Sequence, residues 1–369
     1  MKKGTESNME EKAKTAHVLV LPFPGQGHLN PMLQFSRLLV SKGLQGTFVV
    51  TTYIPRSKNL STSTGPLRFD TISDGFDEGG SKQAASMEAY LSSLHSTGRK
   101  TLTDLLKKHQ SSSNPIDYVI YEPFLSWALD VAKNFGLVAA GFFTHACAVD
   151  YIFYKFYRKM LPDPVSGPVS MKGLPTLELQ DLPSFIVLPE SYPANLKMIM
   201  SQFANMEKAD FVLIYTFYKL GSEISEEAKL PKGFAEEVAD KGLIVNWSPQ
   251  VKVLASEAVG CFLTHCGWNS TIEALSLGVP MVTLPRWSDQ ATNAKFVGRV
   301  GIRAKVDGDG IVKREEIEFC IKEVMEGVKR NEMMKNSEKW RELAIEAVSE
   351  GGTSDRNIDK TRLTLLVNT

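Results

Sequence analysis

The sequence has only six histidines, and His28 stands where one could act as a base. It ends the turn Phe23-Pro-Gly-Gln-Gly-His28, between an apolar stretch and a segment of helical spacing. Imidazole titrates near neutrality, so a histidine at such a turn could take the proton of a bound hydroxyl. A backbone-bonded histidine at a helix start is the plainer alternative. A base needs an orienting group, and a carboxylate on its other ring nitrogen would fix the tautomer and stabilise the imidazolium. Glu122, just past the apolar run 118–121, is placed to serve, unless it is a solvated strand-end carboxylate. A second concentration of polar groups begins at His265-Cys-Gly-Trp-Asn-Ser270, after the apolar run 261–264. A strand, a glycine turn and then Asn269 and Ser270 opening a helix make an anion site, because free amides and the positive helix end favour phosphate. His265 adds a donor. Glu273, one turn further on, could accept two hydrogen bonds from a ribose diol. Asp289 and Gln290 follow another strand and could hold sugar hydroxyls, and Trp247 offers a flat face to a base. Read singly, Asn269, Ser270 and Asp289 are equally helix caps, and Trp247 and Trp268 equally core. Together they cluster on the ligand side of one sheet.

The elements that must position these groups alternate in type. Strands are predicted at 17–22, 46–51, 118–121, 137–143 and 211–216, with helices at 29–40 and 124–135. A second run has strands at 243–246, 261–264, 279–284 and 302–306, and helices at 251–256, 269–277 and 290–297. Helical periodicity with mixed charge continues from 313 to the end. The Pro- and Gly-rich stretch 161–185 reads as an extended surface segment with short turns. This is an α/β pattern with two Rossmann-like halves joined within 217–241 and a cleft beyond the carboxyl ends of the strands. The halves are taken as 1–220 and 221–369.

Composition agrees. A chain of 369 residues exceeds one ordinary core. It has 42 basic and 42 acidic residues, of which 20 and 23 lie in 221–369, so neither half carries a nucleic-acid footprint. The N-terminus is polar, with no signal peptide, and no run reaches the ~18 apolar residues of a membrane helix. The four cysteines form no CxxC pair, which fits reduced thiols in the cytoplasm. Clustered His, Asp and Glu metal ligands are absent from the pattern. The Gly25-Gln26-Gly27 turn resembles a dinucleotide fingerprint only weakly, since Asn30 occupies its last position and no acidic residue ends the second strand.

The 44 residues from Trp247 to Gln290 resemble the signature box of plant family 1 UDP-glycosyltransferases, the secondary-product glucosyltransferases. Trp247, Pro249, Gln250, His265, Cys266, Gly267, Trp268, Asn269, Ser270, Glu273, Gly278, Pro280, Asp289 and Gln290 stand where that pattern wants them. PFPGQGHLNPMLQFSRLL at 22–39 resembles the family's catalytic-histidine region, and ISDGFDEGG at 72–80 resembles the UDP-glycosyltransferase 74 group. The resemblance implies a GT-B fold of two facing Rossmann-like domains. An acceptor-binding N-terminal domain faces a donor-binding C-terminal one, with the tail helices packing back on the first. It implies that Trp247 stacks on uracil and that the Ser248 backbone touches it. Gln250 and Glu273 hold ribose; His265, Asn269 and Ser270 hold the diphosphate; Trp268, Asp289 and Gln290 address the sugar. His28, oriented by Glu122, is then the base. The implied reaction is inverting glucosyl transfer from UDP-glucose, as co-substrate, to a hydroxyl or carboxyl of a small phenol, acid or terpenoid. It needs no cofactor, metal, nucleic acid or membrane anchor, and a monomer is expected. Phe23, His145, Tyr151 and Phe185 could line the acceptor pocket, and core packing explains these aromatics equally well.

The chain departs from the family pattern twice. The family usually has Asp where Glu122 stands. And Thr216-Phe-Tyr-Lys-Leu-Gly-Ser-Glu-Ile runs straight into Ser225-Glu-Glu-Ala-Lys-Leu-Pro-Lys-Gly-Phe234, which resembles sequence the family places after the second strand of its C-terminal domain. About two βα units, on the order of 60 residues, are therefore missing. They would lie in the middle of a 3-2-1-4-5-6 sheet, so 243–246 must pair with 261–264 or leave an open edge. A smaller shortening falls near 297–300. The alternatives to an active enzyme with a re-closed donor half are a nucleotide-sugar binder without turnover and an unstable truncated variant.

Overall fold

The computed structural model describes residues 15–54, 66–172, 174–216, 250–308 and 310–367, with side chains of the last helix to Leu363. The first half is a six-stranded parallel sheet in the order β3-β2-β1-β4-β5-β6. Its strands are β1 (His17–Leu21), β2 (Gln45–Thr51), β3 (Leu67–Ile72), β4 (Tyr118–Tyr121), β5 (Val138–Phe143) and β6 (Phe211–Ile214). β1 and β4 are buried along their whole length, as the centre of a sheet covered on both faces requires. Alternate residues feed two cores. Leu19, Leu21, Val49 and Val119 pack with Leu102, Leu106, Trp127 and Leu129 on one face. Val18, Val20, Phe48 and Ile120 pack with Met32 and Leu39 on the other. Helices α1 (Gln26–Ser41), α2 (Met87–Ser93), α3 (Arg99–Gln110) and α4 (Ser126–Asn134) supply these layers, while α5 (Cys147–Tyr157) and α6 (Pro193–Ser201) pack in a separate cluster.

The second half, as described, starts with α7 (Gln250–Leu254). It continues through β7 (Phe262–Thr264), α8 (Trp268–Leu277), β8 (Met281–Thr283), α9 (Gln290–Phe296) and β9 (Gly301–Arg303). The three strands form a parallel sheet in chain order. Gly278, at φ +72°, ends α8 in the left-handed conformation that a Cβ disfavours. Helices α10 (Arg314–Met325), α11 (Arg330–Val348) and α12 (Thr353–Val367) follow. Lys42, at the end of α1, reaches Asp355 and Asp359 of α12, both at 2.9 Å. Among the described residues β7 is an edge strand, with Leu263 44% exposed. The expected strand at 243–246 and the junction near 217–234 lie outside the described residues.

Two expectations need correction. Residues 161–185 are only in part a surface segment: many of them are exposed, but Val165, Val169, Leu177, Leu182 and Phe185 are buried with Phe124, Phe143 and Phe153 in a third core, braced by a bridge between Val169 and Leu177. Proline and glycine set its turns, but its apolar residues do the packing. The strand β3 and the helices α2 and α3 had no predicted counterpart. β3 alternates apolar and charged residues at a sheet edge, with only its two ends buried.

The small second sheet leaves little room between strands. A Cβ on Gly301 would sit 2.2 Å from the carbonyl oxygen of Met281 across the β8–β9 pair. Gly301→Ala is therefore expected to lower the unfolding free energy by about 1–3 kcal/mol. Urea denaturation measures this, and an unchanged midpoint would show that the strands part without cost.

Candidate active site

His28 lies in the first turn of α1, whose N-cap is Gly25. Its side chain is 14% exposed and packs edge-on against Phe23, with Phe124 and His145 also in ring contact. Glu122 directly follows β4, the neighbour of β1, and is 1% exposed. The two meet as expected, but a third residue stands between them. The His28 ring nitrogen Nδ1 lies 2.7 Å from Thr144 Oγ1, while the direct approach to Glu122 Oε2 is 3.5 Å. Thr144 donates its hydroxyl proton to Glu122 Oε1 at 3.1 Å. A hydroxyl has one proton to give, so Thr144 must accept from Nδ1–H, and Nε2 keeps its lone pair. The longer carboxylate thus acts on His28 chiefly through Thr144. No sequence pattern marked that residue, although the order β1-β4-β5 places the position after Phe143 beside Glu122.

Opposite this group stands the amino end of α8. The α1 interior contains Pro31, which has no amide proton for the carbonyl of Gly27 four residues before. That carbonyl accepts instead from Asn269 Nδ2 at 3.2 Å. The two halves thus touch one residue from His28. The second N–H of Asn269 remains for a ligand, and its Oδ1 is buried without a hydrogen-bond partner. Cys266, at φ +63°, turns the chain from β7 into α8. Asn293 braces that turn by donating to the Cys266 carbonyl and to Asp289 Oδ2.

The remaining site residues take definite places. His265 is half-buried in the same turn and Ser270 is buried in the first turn of α8. Gln250 donates to Ser270 Oγ at 3.1 Å and to Glu273 Oε2 at 2.8 Å, so the expected ribose pair is joined. Burial raises the Glu273 pKa, and the Gln250 bond opposes that rise. The Trp268 side chain is wholly buried and donates to the Tyr215 carbonyl at 2.9 Å, so only its backbone can face a sugar. Asp289 and Gln290 are buried where the chain enters α9. Gln290 Oε1 accepts from the amides of Arg286 and Trp287. Trp247 and Ser248 lie outside the described residues. Of the expected acceptor-pocket aromatics, Phe23 and His145 touch His28, Phe185 belongs to the third core, and Tyr151 lies under the Lys155 ammonium. A cavity of about 1030 Å³ separates Phe35, Leu38 and Ile214 from Ile345 and Ile358, with Glu273 at its wall.

Known proteins resemble the chain over nearly all its length. Residues 227–347 match the UDP-glucoronosyl and UDP-glucosyl transferase family, and residues 14–64 match the glycosyltransferase N-terminal domain. UDP-glycosyltransferase 74F2 of Arabidopsis thaliana is 41% identical over 442 residues, covering 94% of this chain and 97% of that protein. Flavonol 7-O-beta-glucosyltransferase UGT74F1 of the same plant is also 41% identical, with 93% and 97% covered. The crystal structure of Os79 from O. sativa in complex with UDP matches with a TM-score of 0.86 at 31% identity, over 94% of this chain and 100% of Os79. The alignment runs over 442 positions and takes in only 94% of the 369 residues of this chain, so the Arabidopsis protein carries sequence that this chain lacks. No helix of the described residues is long and apolar enough to cross a membrane.

His145 sets a testable pH dependence. Its Nδ1 lies 3.5 Å from Asp150 Oδ1, and both side chains are nearly buried. Burial works against the charged ring, yet Asp150, aided by Asp289 and Glu122, holds its pKa up at about 9. The protonated ring therefore contributes stability that is fully present below its ordinary pKa of 6.5 and is lost as pH rises through about 9. Thermal unfolding of the wild type and Asp150→Asn is expected to show a stability difference that shrinks over that window. A constant difference would exclude the pair as its source.

Proposed function

The chain belongs to the plant UDP-glycosyltransferases, near the 74 group, and on that premise we propose that it transfers glucose from UDP-glucose, with inversion, to a hydroxyl or carboxyl of a small plant metabolite. The observation that carries this reading is the fixed tautomer of His28 beside the amino end of α8. With Nδ1–H committed to Thr144, Nε2 accepts the proton of an acceptor hydroxyl. The acceptor oxygen bonds to the anomeric carbon as the bond from that carbon to the diphosphate oxygen breaks. Glu122, through Thr144, stabilises the imidazolium that forms. The leaving UDP gains charge where the α8 amides, Asn269, Ser270 and His265 cluster, so hydrogen bonds and the helix end take over the work a metal could do. Gln250 and Glu273 are the ribose ligands in this reading. Asp289, Gln290 and the Trp268 backbone face the glucose, and Trp247 and Ser248 take the uracil. The plant relatives named above support small acceptors, and four unpaired cysteines suit the cytoplasm.

The test is turnover of UDP-glucose with phenolic and carboxylic acceptors. His28→Ala is expected to lower kcat/KM for hydroxyl acceptors by about 10²–10⁴-fold, the usual span of general-base catalysis. NMR should show a β-glucoside, and EDTA should leave the rate unchanged. Wild-type turnover by His28→Ala would overturn the assignment. Glu122→Gln should be slower than wild type and Glu122→Asp. Equal rates for all three would remove Glu122 from the mechanism. Excess UDP should raise stability by ~2.7 kcal/mol at 100 times its Kd. A melt that UDP does not shift would mean that the donor site does not survive the shortened second half.

A further inference from the structure

The segment that carries Asp181 leaves the first half and clasps the second. Asp181 is 2% exposed, yet both its carboxyl oxygens are engaged. Oδ1 accepts from Arg303 Nη1 of β9 at 2.9 Å, and Oδ2 accepts from Lys295 Nζ of α9 at 2.8 Å and from the Glu178 amide at 3.2 Å. The Asp181 carbonyl accepts from Thr292 Oγ1 at 2.6 Å, and the Gln180 carbonyl accepts from Arg303 Nη2. Three residues on, the Ser184 amide donates to the Ser288 carbonyl at 2.9 Å, and the Ser288 amide donates to Ser184 Oγ at 2.7 Å. Trp287 packs against Phe185 and Tyr192 from the same segment. Apart from the bond within the segment to Glu178, every one of these contacts ends within residues 287–303, around the loop that delivers Asp289 and Gln290.

Ser288 has φ +58°, a left-handed backbone that a residue with a Cβ adopts only when its surroundings hold it. Gln290 closes the loop from within, through Arg286 and Trp287. Ser184 closes it from the other half of the molecule. We propose that Asp181 is a positioning residue for the donor sugar: through its pairs with Lys295 and Arg303 it seats Ser184 on Ser288 and so fixes Asp289 and Gln290 against glucose. The inference rests on the reading that those two residues face the sugar. Asp181 itself touches no substrate. The diphosphate and ribose groups on α7 and α8 make no bond to this segment among the described residues, so sugar fit and nucleotide affinity should separate. Phe185 also packs in the core that contains Phe124, the neighbour of His28, so the wall of the acceptor side and the sugar loop are one body.

The experiment compares Asp181→Asn, Asp181→Glu and Ser184→Ala with wild type. UDP affinity is measured by calorimetry, and kcat and KM are measured for UDP-glucose and UDP-galactose. Asp181→Asn is expected to leave the UDP Kd within about twofold. It should lower kcat/KM for UDP-glucose by about 10- to 100-fold, the scale of a ~1 Å misplacement, and reduce the preference for glucose over galactose. Asp181→Glu should recover part of that preference, and Ser184→Ala should shift it in the same direction. A uniform loss on both donors, or a matching loss of UDP affinity, would overturn the proposal, because a merely structural clasp would behave that way. Ser184→Ala decides alone if Asp181→Asn does not fold. Asp289→Ala and Gln290→Ala separate the two readings. If they leave the donor preference intact, the sugar-site reading itself fails. If they change it and the Asp181 and Ser184 variants do not, only the positioning role fails.

Discussion

An interior residue of an α-helix ordinarily gives its amide proton to the carbonyl four residues earlier. Pro31 cannot, and the carbonyl it leaves open belongs to Gly27, one residue before His28. Asn269 fills that vacancy from the other half of the molecule. The bond is neutral, long and only partly buried, yet it gives the open carbonyl a partner. It draws the amino end of α8 towards the amino end of α1. Two positive helix ends facing one gap suit an anionic ligand there. Thr144, Glu122 and His28 are arranged behind this junction, so the orientation of the His28 ring and the closeness of the α8 amino end share a single point of reference.

Away from that point, a buried ionic cluster joins the halves beside the aromatic contacts of Trp287. Asp181 is nearly inaccessible to water, but its two cationic partners are each about one-third exposed. Such a pair loses hydration on one side only, so the desolvation cost falls mainly on the carboxylate. The backbone and side-chain donors that also reach this segment offset that cost, with geometry that tolerates little displacement. An apolar seam would permit sliding. A buried carboxylate with a full set of donors fixes one register, and the loop that includes Ser288 inherits it.

Much of the fold was legible in the residues. β1, β4 and β5 are apolar runs because the sheet is covered on both faces, and their predicted bounds differ from the observed ones by a residue at most. The dense polar motif at 265–273 announced the turn into α8. β3 was not legible, because an edge strand with Arg68 and Asp70 lacks the buried run that betrays its neighbours. His28 and Glu122 could be named as a pair from their places at strand ends. Thr144 could not, since a hydroxyl after a strand has no periodic signature until the strand order is known. Asp181 was hidden by its setting: prolines and glycines suggested surface, whereas Leu177, Leu182 and Phe185 around it are core. The indole of Trp268 shows the reverse case. A residue in a ligand motif turns its side chain to the interior and bonds the end of the first sheet through Tyr215.

The path of the chain has a further consequence. It builds the first sheet, crosses to the second, and then sends α12 back to α1, where Lys42 holds Asp355 and Asp359. Leu38 and Phe35 of α1 and Ile358 of α12 face the same cavity. The outer helix of the first half is therefore completed by residues more than three hundred positions later in the sequence. Chimeras that splice the front of this protein to the back of a relative at a single crossover would mate α1 with a foreign α12. Recombining acceptor and donor specificities requires two crossovers, so that the last helix travels with the first domain it covers.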